Sequence, residues 1–284
     1  MNVGICGLGL MGGSFGRTLV KKGAHKVYAA DVSENALLKG EMLKAYDERL
    51  TKNNASELDL FIAAVTPDKI RSVFEEYLPL LRKGATVIDF CGIKRPIVSA
   101  MREFSKMFPE LVFIGGHPMA GREFSGIERS TTTLFEKASM VLVNVNADIF
   151  TLDEAKNFFI NSGFGEVVFT DADTHDEMIA YTSQLCHVVS NAFIKNENAV
   201  KHSGFSAGSY KDLTRVARLN PDMWTTLMSE NRDKLTKELD ELIGHLSEYR
   251  EALRANDTEE LRRLLAEGNE RKISIDVKNA KKGE

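Results

Sequence analysis

Three glycines near the start of the chain, Gly7, Gly9 and Gly12, constrain its fold more than any other feature. They follow a short apolar run at residues 3–6 and precede a segment with helical spacing that extends to about Lys22. The first glycine permits a tight turn, the second lets the backbone approach a phosphate group, and the third allows a helix to pack closely on a sheet. A strand, a glycine turn and a helix in this order predict the start of a doubly wound α/β domain.

Short apolar runs alternate with helical patterns over the first 170 residues. Each run has the length that is typical of a buried strand. The further runs are residues 26–30, 58–65, 86–90, 111–115, 140–145 and 166–169. Continuous apolar strands separated by helices are typical of a parallel sheet that is covered on both faces. We therefore predict a Rossmann-type nucleotide-binding domain over residues 1–170.

The pattern changes after Asp171, where the strand-like runs stop. Asp171 or Asp173 can cap a helix, and leucines recur at helical spacing over residues 223–266. These features predict an all-helical domain over residues 171–284. Its helices have long apolar faces, and the predicted domain offers few strands against which these faces could pack. We therefore expect them to be buried between the two subunits of a homodimer. Packing within a single chain is the alternative.

The net charge and the lengths of the apolar runs argue against two classes of binding partner. A net charge of −4 argues against nucleic acid. No apolar run approaches the roughly 20 residues needed to cross a bilayer, so we expect no membrane partner and a cytoplasmic location.

Neither the cysteines, Cys6, Cys91 and Cys186, nor residues 175–177 have the spacing of a metal site. We therefore expect no metal, three buried cysteines and a solvated helix start at His175.

The glycine turn has the context of a dinucleotide site. Backbone amides at the N-terminus of the following helix would face the phosphates. Asp31 ends the second strand 19 residues after Gly12, where a carboxylate can bind the ribose 2′-hydroxyl of NAD and would repel the 2′-phosphate of NADP. NAD is therefore the predicted cofactor. The predicted cofactor-binding residues are Gly7, Leu8, Gly9, Leu10, Met11, Gly12, Asp31, Thr66 and Pro67. An ordinary strand-ending turn is the alternative for Thr66 and Pro67.

Three later residues are candidates for catalysis or substrate binding. His117 opens His-Pro-Met-Ala-Gly at 117–121, just after an apolar run, and a histidine at the carboxyl edge of a sheet can take a proton near neutral pH. Arg215 ends Lys-Asp-Leu-Thr-Arg at 211–215, and its guanidinium is suited to a carboxylate. His187 lies within a predicted helix. The alternatives are a structural histidine at either histidine position and a solvated helix-face arginine at Arg215.

The arrangement of these segments resembles the prephenate dehydrogenase family, which also includes arogenate and cyclohexadienyl dehydrogenases. The resemblance covers residues 1–275. The stretches that carry it are Gly-Leu-Gly-Leu-Met-Gly-Gly-Ser at 7–14, Asp-Phe-Cys-Gly-Ile-Lys at 89–94, His-Pro-Met-Ala-Gly-Arg-Glu-Phe-Ser-Gly at 117–126, His-Asp at 175–176 and Lys-Asp-Leu-Thr-Arg at 211–215. The resemblance implies a nucleotide-binding domain joined to a helical dimerisation domain. It also implies NAD-dependent oxidative decarboxylation of prephenate to 4-hydroxyphenylpyruvate in tyrosine biosynthesis.

The resemblance implies roles for individual side chains. His117 matches the catalytic residue that bonds the hydroxyl on ring carbon C4. Arg215 matches the arginine that binds the substrate carboxylate. His187 and Glu123 match positions that line or gate the substrate pocket, and Trp224 matches a position near the active site at the dimer interface.

Two residues depart from the commoner family pattern, and the substrate stays open. Gly92 stands where many members carry a serine whose hydroxyl also touches the reacting oxygen, and Gln184 stands where a histidine is common. Arogenate is the alternative substrate: Glu123 could pair with its ammonium group, whereas Arg122 would favour prephenate. A β-hydroxyacid dehydrogenase and a non-catalytic NAD-binding protein are more distant alternatives.

Overall fold

The computed structural model describes residues 1–121 and 124–280. Its strands are β1 (Asn2–Cys6), β2 (Lys26–Ala30), β3 (Glu48–Arg49), β4 (Leu60–Ala63), β5 (Thr86–Asp89), β6 (Val112–Pro118), β7 (Ser139–Asn144) and β8 (Glu166–Thr170). They form one sheet in the order β3-β2-β1-β4-β5-β6-β7-β8. The first six strands in this order, from β3 to β6, are parallel and have the Rossmann arrangement. The predicted α/β fold class is confirmed.

The prediction of a parallel sheet is wrong at its last two strands, β7 and β8, which are parallel to each other but run opposite to the first six. β7 runs antiparallel to β6, with Ile114 opposite Asn144 and Pro118 opposite Met140. A parallel connection needs a crossover segment, usually a helix. The described residues between β6 and β7 contain only the single helical turn Ile127–Arg129, so the chain returns in the opposite direction. The two-residue strand β3 was not predicted, because it is short, charged and exposed.

Helices accompany the strands and continue after the last strand. In chain order they are α1 (Leu10–Lys22), α2 (Glu34–Met42), α3 (Ile70–Tyr77), α4 (Arg95–Met107), α5 (Ile149–Ser162), α6 (Ala172–Ile179), α7 (Cys186–Phe193), α8 (Gly208–Thr214), α9 (Pro221–Glu230), α10 (Arg232–Arg254) and α11 (Thr258–Ala280). A π-helical segment, Ala180–Leu185, joins α6 to α7. None of the helices in the described part of the chain is long and apolar enough to cross a membrane.

Alternate residues of each strand supply two separate cores. Leu60 and Ile62 of β4 belong to a core that also contains Phe15 of α1, whereas Phe61 belongs to a core that contains Phe74 of α3. Successive side chains of a strand point to opposite faces of a sheet. Helices therefore cover both faces, which explains why the strand sequences are apolar throughout rather than alternating with polar residues.

The glycine turn lies where the strand order reverses. β1 pairs with β2 on one side and β4 on the other, and a crevice forms at the carboxyl ends of the strands at such a point. Gly7 has a φ of 100°, and its amide donates to the carbonyl of Ala30 at 2.8 Å. A Cβ atom at Gly12 would overlap the carbonyl oxygen of Gly7, so only glycine lets α1 begin this close to β1.

The helical part begins as predicted. The side chain of Asp171 accepts from the amides of Asp173 and Thr174, which caps α6. By its packing the chain divides into two compact units, Met1–Arg232 and Asp233–Glu284. The first unit thus contains α6 to α9 as well as the sheet, and the predicted domain boundary after residue 170 stays a prediction. In the second unit, Tyr249 of α10 donates to the carbonyl of Leu264 of α11 at 3.1 Å.

The three cysteines do not share one environment. Cys6 and Cys91 are buried, as expected. Burial raises the pKa of the Cys6 thiol to about 12, with smaller contributions from the negative charges of Glu76 and Asp31. The expectation is wrong for Cys186, which is exposed because it begins α7 on a face turned to solvent.

The glycine turn generates a prediction about stability. Gly12→Ala should lower the free energy of unfolding by about 1–3 kcal/mol or more, because the new methyl group forces α1 away from β1. Gly9→Ala is the matched control, since a Cβ atom there meets no atom within 4 Å. Urea denaturation of both variants measures the difference. Equal stability of the two variants would contradict the packing role given to Gly12.

Candidate active site

The predicted cofactor residues surround the crevice at the carboxyl ends of β1 and β4. A Cβ atom at Gly9 would point into open space, so a ligand can approach the backbone there. α1 begins at the next residue, and its first turn contains no acidic side chain. The amides of this turn, including those of Leu10 and Met11, carry the partial positive charge of a helix N-terminus. The site therefore suits a phosphate group.

Asp31 is fixed in place at the end of β2. One carboxylate oxygen accepts from the amide of Leu8 at 2.7 Å, and the other accepts from the amide of Ser33 at 2.8 Å. The carboxylate is half-buried beside the glycine turn. Each of its oxygens has a second lone pair, so it can also accept from a ribose hydroxyl. These residues fit an adenine dinucleotide.

Thr66 and Pro67 follow β4 at the same edge of the sheet. Thr66 is exposed, and Pro67 begins the helical turn Pro67–Lys69, which packs against α9. The placement is compatible with a cofactor path and equally with an ordinary strand-ending turn.

His117 lies near the end of β6, within the strand rather than after it. The parallel strands β4 and β5 end at the same edge. The side chain is half-buried. Its Nδ1 atom lies 2.9 Å from Nε2 of His175, and Nδ1 of His175 lies 2.7 Å from Oδ1 of Asp176. Two histidines and a carboxylate thus form a continuous chain of hydrogen bonds.

The expectation of a solvated helix start at His175 is wrong. Both His175 and Asp176 are buried, because the first turn of α6 packs against α4. The Asp176 carboxylate also accepts from the backbone amides of Lys94 at 2.7 Å and Arg95 at 2.8 Å. Burial raises the pKa of Asp176, but the hydrogen bonds from His175 and from these two amides hold it below its usual value.

A second buried carboxylate lies beside this chain. Asp89, at the end of β5, forms an ion pair with the ammonium group of Lys94, and both side chains are fully buried. Asp89 also accepts from the amides of Cys91 at 2.8 Å and Gly116 at 3.0 Å. The pair therefore ties the loop after β5 to β6, one residue before His117. Removing one member of a buried ion pair costs about 3–5 kcal/mol.

The electrostatics keep the imidazole of His117 neutral. Burial lowers its pKa well below the ordinary value, and positive charge on His175 or on Lys94 would lower it further. Burial likewise lowers the pKa of His175, although the hydrogen bond to Asp176 acts in the opposite direction. A neutral imidazole can accept a proton, which is what a general base requires.

Gln184 has a structural place in this region. Its side chain donates to the carbonyl of Leu227 at 3.0 Å and accepts from Asn231 at 2.9 Å. Asn231 also donates to the carbonyl of Asp176 at 2.8 Å and accepts from Arg95 at 2.9 Å. Gln184 thus connects the π-helical segment to α9 and to the residue that follows it.

Gly92 leaves space in front of His117. A Cβ atom at Gly92 would lie 3.9 Å from Nε2 of His117 and 3.5 Å from a methyl group of Leu227. The ring nitrogen that does not contact His175 therefore faces the loop after β5 and one side of α9. A serine at position 92 would place its hydroxyl close to the same nitrogen.

The remaining predicted residues that the structure describes lie on α7, on α9 and in the helical turn Arg215–Ala217. The rings of His187 and Trp224 have centroids 3.9 Å apart, and Nδ1 of His187 lies 3.0 Å from the carbonyl oxygen of Val216. Arg215, the preceding residue, is exposed. Trp224 is one helical turn before Leu227 on α9. α9 therefore carries both Trp224 and Leu227, the residue that would contact a Cβ atom at Gly92 beside His117. Glu123 lies outside the described residues.

Sequence reasoning assigned no chemical role to Asp89, Lys94, His175 or Asp176. The signal for the first two was present: a carboxylate ends the apolar strand β5, and a lysine follows within the next loop. His175 and Asp176 belong to a stretch that carries the family resemblance, but their pattern alone predicted a solvated helix start. Only the packing of α6 against α4 buries them.

The comparisons with known proteins agree over most of the chain. The family model for the prephenate dehydrogenase nucleotide-binding domain matches residues 15–168, and the model for the prephenate dehydrogenase dimerization domain matches residues 171–267. A cyclohexadienyl dehydrogenase from Zymomonas mobilis is 26% identical, with 96% of both chains covered. A prephenate dehydrogenase from Bacillus subtilis is also 26% identical, with 90% of this chain and 71% of the relative covered.

A solved structure gives the same result. The prephenate dehydrogenase from A. aeolicus, in complex with hydroxyphenyl propionate and NAD+, superposes with a TM-score of 0.84 at 26% identity. The match covers 97% of this chain and 98% of that chain. Together with the two family models, this likeness shows that the chain belongs to the prephenate dehydrogenase family.

Proposed function

We propose that this protein is an NAD-dependent prephenate dehydrogenase of tyrosine biosynthesis. The reaction converts prephenate and NAD+ to 4-hydroxyphenylpyruvate, carbon dioxide and NADH. The observation that carries the proposal is the placement of His117 in a chain of this family. The imidazole lies at the carboxyl edge of the sheet, its Nδ1 atom is engaged by a buried histidine, and its Nε2 atom is left for a substrate.

The cofactor residues support NAD. The turn from Gly7 to Gly12 and the N-terminus of α1 would hold the pyrophosphate, and Asp31 would hold the adenosine ribose. When NAD is bound, its nicotinamide ring supplies the hydride acceptor. The negative charge of Asp31 disfavours the 2′-phosphate of NADP, so we propose a preference for NAD.

His117 would act on the hydroxyl group at C4 of the substrate ring. As the hydride leaves C4, the O–H bond breaks and its proton passes to Nε2 of His117. The ring carboxylate then leaves as carbon dioxide, and the electron pair of the broken bond enters the ring. The ring becomes aromatic, and its oxygen recovers the proton from Nε2. General-base help of this kind contributes about 10²- to 10⁴-fold to a rate.

The substrate carboxylate requires a positive partner, and we propose Arg215 for it. An exposed guanidinium near α7 can form two parallel hydrogen bonds with a carboxylate. The paired rings of His187 and Trp224 would form an adjacent wall of the substrate pocket. A role for Glu123 in the pocket stays a prediction.

We further propose that the protein is a homodimer held through its helical part. Apolar side chains are exposed at intervals along α10 and α11. They are Ile243, Leu246, Leu253, Leu265, Ile273, Ile275 and Val277. A second copy of the chain would cover them, and the matched family model describes a dimerization domain. The cytoplasmic location expected from the sequence stays a prediction.

One assay tests the function and the choice of substrate. Purified protein is given prephenate or arogenate, each with NAD or NADP, and formation of the reduced cofactor is followed by its absorbance. We expect the highest kcat/KM with prephenate and NAD. Higher kcat/KM with arogenate would assign the protein as an arogenate dehydrogenase, an alternative that the cyclohexadienyl relative makes worth testing. No turnover with either acid would overturn the proposed function.

His117→Asn tests the proposed base. The amide can form a hydrogen bond but cannot take a proton, so kcat should fall about 10²- to 10⁴-fold with little change in KM. Because the pKa of His117 is lowered, wild-type kcat/KM should decline only below the ordinary histidine pKa, as Nε2 becomes protonated. His245→Asn, at an exposed histidine of α10, is the control. Near-normal turnover of His117→Asn would remove His117 from the mechanism.

Arg215→Ala tests the carboxylate contact. An ion pair that exists in both the ground state and the transition state should mainly affect KM. Loss of a charge-assisted hydrogen bond of about 1.5–3 kcal/mol corresponds to a rise in KM of roughly 10- to 150-fold. Arg102→Ala, at an exposed position of α4, serves as the matched variant. An unchanged KM for prephenate would show that Arg215 does not bind the substrate.

A further inference from the structure

The hydrogen-bond chain behind His117 permits an assignment of its protons. The starting point is Asp176, whose two oxygens accept from the amides of Lys94 and Arg95. A backbone amide can only donate, so both oxygens must act as acceptors. The pKa of Asp176 is held below its usual value, in agreement with an ionised carboxylate.

The ionised carboxylate sets the tautomer of His175. Oδ1 of Asp176 lies 2.7 Å from Nδ1 of His175, and a carboxylate has no proton to offer, so Nδ1 carries the hydrogen. His175 is buried, and burial lowers its pKa, so the ring is neutral. A neutral imidazole has one N–H group. Nε2 of His175 is therefore an acceptor.

The tautomer of His175 in turn sets that of His117. The two rings approach through Nε2 of His175 and Nδ1 of His117, 2.9 Å apart. Because the first atom is an acceptor, the second must donate. Nδ1 of His117 therefore carries the hydrogen, and its Nε2 atom, which faces Gly92, has a free lone pair.

We propose that His175 and Asp176 are positioning residues that fix His117 in the tautomer whose Nε2 atom can accept the substrate proton. The role in the reaction rests on the proposed function. Neither residue contacts the space beside Gly92 through the hydrogen bonds described, so both act through His117. With the opposite tautomer, Nε2 would carry a hydrogen and could not act as a base.

The arrangement also prepares the site for the charged state of His117. When Nε2 takes the substrate proton, the O–H bond breaks, an N–H bond forms at Nε2, and Nδ1 keeps its hydrogen and its bond to His175. The imidazolium then lies two hydrogen bonds from the negative charge of Asp176. The ammonium group of Lys94 opposes this state, so the proton returns readily to the product oxygen.

The buried charges are balanced before the reaction. The carboxylates of Asp89 and Asp176 face the cations of Lys94 and Arg95 through direct contacts. A permanent proton on either histidine would add a net positive charge to a buried region, which is costly. This balance explains why both histidines remain neutral and why their hydrogen bonds can be assigned in sequence.

Nitrogen NMR of the wild-type protein tests the assignment without any turnover. The chain has six histidines, so selective ¹⁵N labelling gives a small set of ring signals. His117→Asn identifies the signals of His117. We expect Nδ1 protonated and Nε2 unprotonated at pH 7. A signal pattern with hydrogen on Nε2, or on both nitrogens, would overturn the proposal.

Two substitutions at position 175 distinguish a role in positioning His117 from a role in filling space. Glutamine places an amide oxygen near the site of Nε2 and can still accept from His117, whereas phenylalanine fills the space and cannot accept. We expect His175→Phe to reduce kcat about 100-fold or more with little change in KM, and to abolish the Nδ1–H signal of His117. His175→Gln should retain that signal, and its kcat should be at least about a tenth of the wild-type value.

The controls separate this proposal from the proposed function. His245→Gln, at an exposed position, should match the wild type in both measurements. Equal kcat and equal His117 spectra for His175→Phe and the wild type would overturn the positioning role, even if prephenate is turned over. The expected tautomer in a protein that turns over neither prephenate nor arogenate would support the assignment of protons and overturn only its link to catalysis.

Discussion

The carboxylate of Asp176 is the interaction on which the candidate site depends. It lies in the first turn of α6, yet its oxygens accept from the amides of Lys94 and Arg95, where α4 begins. Lys94 provides no side-chain cap for this helix, so the carboxylate satisfies amides that would otherwise lack an intrahelical partner. A negative charge at a helix N-terminus is also favourable. One side chain thus joins the helical segment to the sheet and supports His175, which contacts His117.

The buried charges explain why the site is rigid and neutral. Asp89 holds Lys94 and the amide of Gly116, so the loop after β5 and the end of β6 cannot move independently. Asp176 of α6 likewise holds the start of α4, because its carboxylate accepts from the amide of Arg95. Each carboxylate has a cation and backbone donors around it, which offset part of the cost of burying its charge. His117 lies between these two arrangements, and burial keeps its pKa low.

Local patterns in the sequence predicted most of the fold. The apolar runs predicted the existence of the main strands and their sequence along the chain, and Gly7 with Gly12 predicted the turn that follows β1. The antiparallel direction of β7 could not be predicted from its apolar pattern, which is the same in either direction. It follows from the connection between β6 and β7, which lacks a crossover helix in its described residues.

The sequence by itself determined the chemical groups: a glycine turn with Asp31 for a dinucleotide, a histidine after an apolar run, and an arginine in the helical half. These are local patterns, and each can be recognised without knowing what surrounds it. Only the tertiary structure decided the protonation and direction of His117. Its partners are 58 and 59 residues away in sequence, and burial of that distant pair depends on how α6 packs against α4.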